Sequence, residues 1–173
     1  MKNLKLALVA SLAAGSLSGV AVAAQDGTLG LTSTGESIVT IIKQNAVQIT
    51  NVADLDLGVY ATLAADATAN DDVCVFSSTG GYSVTLSGAG AGFALDGGAA
   101  GTIPYAVQWA ANGGAAVPVV AGTPIVAQAG DASSLNCNGG TNANFSVAVS
   151  AALFNASAPG TYTDTLTLLV EPE

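Results

Sequence analysis

Histidine and arginine are both missing from this 173-residue chain, and its three basic residues, Lys2, Lys5 and Lys43, stand against twelve carboxylates. Phosphate and nucleic-acid recognition depend on clustered arginine and lysine that release counterions, so no nucleic-acid partner is expected. Histidine general-base chemistry, histidine metal ligation and an arginine oxyanion clamp are excluded on the same ground. A serine activated by Lys43 would need a Ser-x-x-Lys spacing, which is absent around that residue. The expectation is a protein that is not an enzyme, with no catalytic residue, no metal site and no cofactor.

Long apolar runs are also lacking after residue 24, although half of all residues are hydrophobic. None approaches the roughly 18 residues needed to span a bilayer. Before that point the pattern differs. Met1-Lys2-Asn3-Leu4-Lys5 is a short basic region, residues 6–22 are apolar, and Ala21-Val22-Ala23 is a small-residue exit. These are the three parts of a secretory signal peptide, so residues 1–23 are expected to be removed and the mature chain to begin at Ala24 or Gln25. Lys43 is then the only cation left. Cysteine is scarce, and in an exported chain Cys74 and Cys137 are expected to form a disulfide, with no Cys-x-x-Cys to suggest redox work.

Helical periodicity is nearly absent after residue 24, and a two-residue period replaces it. Tyr82, Val84 and Leu86 alternate with Ser83, Thr85 and Ser87; Ile103, Tyr105, Val107 and Trp109 form a second set; Phe145, Val147, Val149, Ala151 and Leu153 form a third. Further strands are expected at residues 55–60, 73–76, 93–95 and 117–127, separated by turns such as Asp96-Gly97-Gly98, Asn112-Gly113-Gly114 and Asn138-Gly139-Gly140. Short strands at this spacing predict an all-β antiparallel sandwich. The Gly- and Ala-rich stretches 88–92 and 97–101 read as wide rim loops.

Several residue groups admit a second meaning. Trp109 and the tyrosines suit a sugar platform, but their shared parity with aliphatic neighbours favours core packing. Asp54 with Asp56, and Asp71 with Asp72, have the spacing of a Ca²⁺ loop without its full ligand series, which favours solvated turns. Asn155-Ala156-Ser157 matches a glycosylation acceptor, a short motif of little weight.

The closing stretch is the most specific. After the Pro159-Gly160 turn, Tyr162, Leu166, Leu168 and Val170 share one parity while Thr161, Thr163, Thr165 and Thr167 take the other, which predicts one strand running to Glu173. This Gly-Thr-Tyr-Thr-Asp-Thr-Leu-Thr-Leu-x-Val ending resembles the final strand of archaic chaperone-usher pilins, such as the Csu-type major subunits, and of spore coat U-type domains. Leu55-Asp56-Leu57-Gly58 is similar to the Leu-x-x-Gly element of that family, and Val73-Cys74-Val75 to its cysteine strand. Val47 stands where the family has an early cysteine, and Cys137 is extra, so the resemblance implies a rewired disulfide.

The resemblance implies an immunoglobulin-like sandwich that lacks its last strand and is completed by a donor strand from a neighbour. Residues 24–43 would be an N-terminal extension carrying that strand, with Leu29, Leu31, Ser37, Val39 and Ile41 as its inward residues, and residues 44–173 the pilin-like domain. Tyr162, Leu166, Leu168 and Val170 would border the groove. Its partners would be identical or related pilin subunits, a periplasmic chaperone and an outer-membrane usher, with a host or abiotic surface as the final target. The implied place is a fimbria on the surface of a Gram-negative cell, supporting adhesion and biofilm formation. The alternative is a self-complemented secreted coat or matrix protein, or a carbohydrate-binding module, in which the extension pairs within its own chain. Alternation alone does not choose between the two.

Overall fold

The computed structural model describes residues 24–111 and 113–173, so the expected signal segment and Asn112 of one expected turn lie outside the described residues. The chain divides into two compact units between Lys43 and Gln44.

In the first unit, Gln25 and Glu36 face each other as an antiparallel bridge, each donating its N–H to the other's carbonyl at 3.1 and 2.9 Å. Residues 29–32 bend between them, and residues 37–43 are without ladder pairing. The alternation that groups Leu29 and Leu31 with Val39 and Ile41 is therefore interrupted: the first pair sits in a bend and the second follows the bridge. Gly30 lies in this bend.

The described residues of the second unit form ten strands and one short α-helix, besides two single-turn 3-10 helices: β1 (Val47–Thr50), β2 (Ala67–Ser77), β3 (Gly81–Ser87), β4 (Ala94–Asp96), β5 (Thr102–Pro104), β6 (Ala106–Ala111), β7 (Val117–Pro118), β8 (Ile125–Ala129), β9 (Ala143–Val149), α1 (Ala151–Ala156) and β10 (Thr167–Pro172). All ladders are antiparallel, in a five-stranded sheet ordered β1-β2-β9-β6-β7, a three-stranded sheet β10-β3-β8, and a β4-β5 pair. The fold is thus the expected antiparallel sandwich.

The alternating residues make the core because strand side chains point to opposite faces in turn. Val73, Val75, Tyr82, Val84, Leu86, Val107, Trp109, Phe145 and Val147 bury together between the sheets. Tyr82 and Trp109 meet edge to face, ring centres 6.4 Å apart, so the core reading of these aromatics holds. Burial pushes the Tyr82 phenol up to about 12. The disulfide between Cys74 and Cys137 is present and fastens β2 to the loop before β9. Its partners are 63 residues apart in sequence, and closing such a loop contributes roughly 4 kcal/mol in the chain-entropy account.

Several expected strands come out differently. The third alternating set stops as a strand at Val149, and Ala151 and Leu153 fall in α1. The cause is remote from the local pattern: the Asp66 carboxylate accepts the Ala151 N–H at 2.9 Å, capping a helix whose own Ser150 makes no side-chain cap. Residues 117–127 split into β7 and β8 around Gly122, whose φ of +72° suits glycine, and residues 55–60 make no ladder at all. The terminal run also shortens, since β10 begins only at Thr167 and its approach is bridged at Thr163 alone, to Asp96.

Candidate functional site

The unpaired segment 52–66 and the terminal run face each other across a margin of the sandwich where a strand's worth of backbone goes unused. Among the described residues, 52–66 makes no backbone-to-backbone hydrogen bond. Its side chains still alternate: Leu55 and Leu57 are half-buried while Asp54, Asp56 and Val59 are exposed. Gly58 has φ +93°, a conformation glycine adopts without strain, and its N–H donates to Asp56 Oδ1 at 2.8 Å in a local turn.

Opposite, the terminal run is held on one side only. Thr163 exchanges backbone bonds with Asp96 at 2.7 and 3.0 Å, and Glu173 N–H donates to Gly81 carbonyl at 3.1 Å beside the β10–β3 ladder. Successive residues of a strand direct their backbone groups to opposite sides, so the even-numbered Leu166, Leu168 and Val170 turn theirs to the free edge. Pro172 ends that row because it has no N–H to offer.

Between these walls lie two adjoining clefts that share Asp54, Leu55, Leu57, Leu95 and Asp164. The wider, about 530 Å³, runs past Tyr60, Leu63, Phe154 and Tyr162, over a floor of Ala67, Ile103 and Val149. The narrower, about 240 Å³, continues past Phe145, Val147, Leu166 and Leu168. Together they form one groove with apolar lining and unpaired backbone on both flanks. Extended chain is the ligand form that satisfies both at once, because its alternate side chains fill pockets while its main chain completes the ladders.

The placement of the sequence-derived residues is specific. Tyr162, Leu166, Leu168 and Val170 all lie on the half-buried face of the terminal run. Tyr162 lines the wide cleft, and its hydroxyl donates to Ala158 carbonyl at 2.6 Å and lies 3.1 Å from Ala100 carbonyl, a corner like that of immunoglobulin-type sandwiches. Gly97 makes room for it, since a Cβ there would come within 2.5 Å of the Tyr162 ring. Leu166 and Leu168 line the narrow cleft, whereas Val170 packs on the core outside the lining of either cleft. In the first unit, Leu29, Leu31, Val39 and Ile41 are almost fully exposed, and Ser37 is exposed as well.

Sequence reasoning missed several contributors. Asp164 shares the inward parity of Tyr162 and Leu166; its Oδ2 accepts the Tyr105 hydroxyl at 2.8 Å and its Oδ1 accepts the Ala89 N–H at 3.0 Å. Burial above all, then the hydrogen bond to Asp164 and its negative charge, push the Tyr105 phenol well above the ordinary tyrosine range. Ile38 and Ile42 are exposed apolar residues of the opposite parity to Val39 and Ile41. Asn155, the amide of the glycosylation-like triplet, is engaged with Leu63 backbone, accepting its N–H at 2.8 Å and donating to its carbonyl at 2.9 Å. Asp71 and Asp72 make protein hydrogen bonds, accepting from Ala53 N–H and from the Asn144 amide, each at 2.8 Å. Among the described residues no group of three or more acidic, cysteine or histidine side chains is placed to hold a metal ion, and no helix is long and apolar enough to cross a membrane.

No protein-family model matches the chain, and no curated protein matches it. Among solved structures it is similar to a chain from a chaperone–tip adhesin complex described as vital for synergistic activation of CFA/I fimbriae biogenesis, with a TM-score of 0.56 and 13% identity. The similarity covers 73% of this chain and 41% of that one, so this chain spans about two fifths of the length of the solved chain it matches. At that identity the likeness is one of fold. The body is an immunoglobulin-like antiparallel sandwich with open sheets, consistent with one strand missing, of the kind present in a fimbrial chaperone–adhesin complex.

Proposed function

We propose that this chain is a structural subunit of a surface fimbria, joined to its neighbours by donor-strand exchange, with the 24–43 extension of one copy entering the groove of the next. The observation that carries the reading is the groove itself: a mainly apolar cleft flanked by two rows of unpaired backbone, in a chain that also carries an extension with exposed apolar side chains. Burying each apolar anchor of the extension would contribute roughly 1.5 to 3 kcal/mol, so a few anchors with main-chain pairing make a slowly dissociating joint. An edge of this kind left open invites aggregation, which is the physical need that a periplasmic chaperone would meet before an usher passes the subunit on. The motif resemblance supports kinship with the archaic Csu-type pilins, and with that kinship would come export to the cell surface, adhesion and biofilm formation. Its role is structural and non-catalytic in this reading.

The test is to change Val39 and Ile41 together to Asp, or to delete residues 24–42. The expected result is a body that still folds when chaperone is supplied but no longer forms filaments or heat-resistant multimers. Filaments that persist without the extension refute the reading. A body that fails to fold without it points instead to the self-complemented coat protein or carbohydrate-binding module.

A further inference from the structure

Among the described residues, the 52–66 wall of the groove is hydrogen-bonded to the rest of the body only near its two ends, with Leu55 and Leu57 packed on the core between them. Near its start, Ala53 N–H donates to Asp71 Oδ2 at 2.8 Å. Near its end, one Asn155 side chain takes both backbone groups of Leu63, at 2.8 and 2.9 Å. A primary amide set this way offers the donor and acceptor that a neighbouring strand would offer. Asn142 does the same to Val75 inside the body, at 2.8 and 2.9 Å, where it prolongs an existing ladder. At Leu63 there is no ladder to prolong, so Asn155 stands in for one.

The fastening extends beyond one amide. Tyr60 and Phe154 meet edge to face with ring centres 6.4 Å apart, and Asp66 caps Ala151, so the far end of the wall is tied to α1 at three points. This end borders the 530 Å³ cleft, into which Leu57 and Leu63 project half-buried apolar side chains. Leu57 and Leu63 pack on the floor residues Ala67, Ile103 and Val149, so the shape of the cleft depends on where this end of the wall is held. Between Ala53 and Leu63, the only side-chain bond to a backbone group of this wall among the described residues is the local one from Gly58 to Asp56.

We propose that Asn155 is a positioning residue for strand uptake, holding the Leu57–Leu63 end of the wall in one place at the groove rim so that the wide cleft keeps its shape for an incoming strand. The proposal rests on the strand-receiving reading given above. It assigns Asn155 a mechanical role in place of sugar attachment.

The experiment compares the full chain with Asn155→Ala, with Asn155→Asp, and with Asn144→Ala, which removes a polar bond to Asp72 away from the groove. Two quantities are measured: amide hydrogen exchange at Leu63, and the rate at which heat-resistant multimers form. Asn155→Ala is expected to speed Leu63 exchange roughly fivefold to tenfold, the loss of one hydrogen bond, and to slow multimer formation by about tenfold or more. Asn144→Ala changes neither. At pH 7 Asn155→Asp keeps an acceptor for the Leu63 N–H, so Leu63 exchange stays near that of the unsubstituted chain, but its carboxylate cannot donate to Leu63 carbonyl and multimer formation slows as in Asn155→Ala. Its multimer formation recovers toward that of the unsubstituted chain at the same pH below about 4, where a protonated carboxyl again offers a donor and an acceptor. Multimers forming at the unsubstituted rate in Asn155→Ala, equal slowing in Asn144→Ala, or no recovery of Asn155→Asp in acid would each overturn the proposal. An unsubstituted chain that never forms multimers refutes the fimbrial reading instead, and Leu63 exchange then decides alone: faster exchange in Asn155→Ala supports the holding role, and unchanged exchange overturns it.

Discussion

The two margins of the sandwich treat the same sheet-edge problem in opposite ways. On the β7–β8 side the chain crosses from one sheet to the other and bonds to both: Val119 N–H donates to Val107 carbonyl at 2.9 Å and Gly122 N–H to Leu86 carbonyl at 2.8 Å. Val119 plugs the gap at 9% exposure. The β8 edge is blunted as well, by Pro124 before it, by the positive φ of Ala127, and by Glu173 Oε2 accepting the Ala127 N–H at 2.9 Å. On the 52–66 side the chain passes along the same kind of gap with no backbone-to-backbone bond to either sheet among the described residues. The β10 edge beside it has only Pro172, at its end, to limit pairing. A chain able to close one margin so completely leaves the other open because no described segment supplies the bonds, not because its composition forbids closure.

The sharpest way to break this contrast is to put one charge on each margin. Leu57→Asp places a carboxylate in the groove lining and is expected to abolish multimer formation, whereas Val126→Asp, on an exposed position of the closed side, leaves it intact and shifts stability by no more than about 0.5 kcal/mol. Gel ladders and melting curves of the two variants check this, and equal losses would mean that the margins do not differ in function.

Loosening the held part of the body tests the contrast from the other direction. Cys74→Ser releases the link between β2 and the 131–140 loop and should cost roughly 4 kcal/mol in unfolding free energy, read by denaturant titration. The surviving folded fraction should still take up a strand, since neither cysteine lines the groove.

Alkaline titration reaches the core and the groove floor together. Tyr82 is raised to about 12 in the folded chain against an unfolded value near 10, so its contribution is fully present below pH 10 and is lost as pH rises toward 12. About 2 to 3 kcal/mol should disappear over that window, followed by urea midpoints at stepped pH. Tyr82→Phe should remove much of the slope, and Tyr105→Phe should remove a further part, because burial and Asp164 also hold that phenol protonated.

The smallest effect is expected in acid. The Ser133 hydroxyl, the Ser133 N–H and the Ser134 N–H hold the Asp131 carboxyl below its usual value. Its stabilisation is therefore present above the unfolded value near 4 and fades as pH falls below it. Asp131→Asn should flatten the melting-temperature profile slightly between pH 4 and pH 2 while leaving multimer formation at neutral pH unchanged.

Residues with a repeating parity are legible in the sequence itself. Tyr82, Val84, Leu86, Val107, Trp109, Phe145 and Val147 announce a two-faced sandwich because alternation is a local property of extended chain, and the cysteine pairing is expected from two cysteines in a chain read as exported. The inward face of Tyr162, Leu166, Leu168 and Val170 is local in the same sense. What local pattern could not decide is which strand-like segment finds a partner. Residues 55–60 alternate as a strand does and remain unpaired, since a ladder needs a second chain segment at the right distance. Ala151 and Leu153 continue an alternating run and turn into α1, because a carboxylate 85 residues away caps the turn. The Asn155 triplet reads as a modification signal in one dimension, and its other meaning depends on Leu63 lying against it in three. Sequence determined which faces are apolar. Only the tertiary structure decided where hydrogen bonds were left unmade, because that depends on which distant segments meet, and the groove is the place where none did.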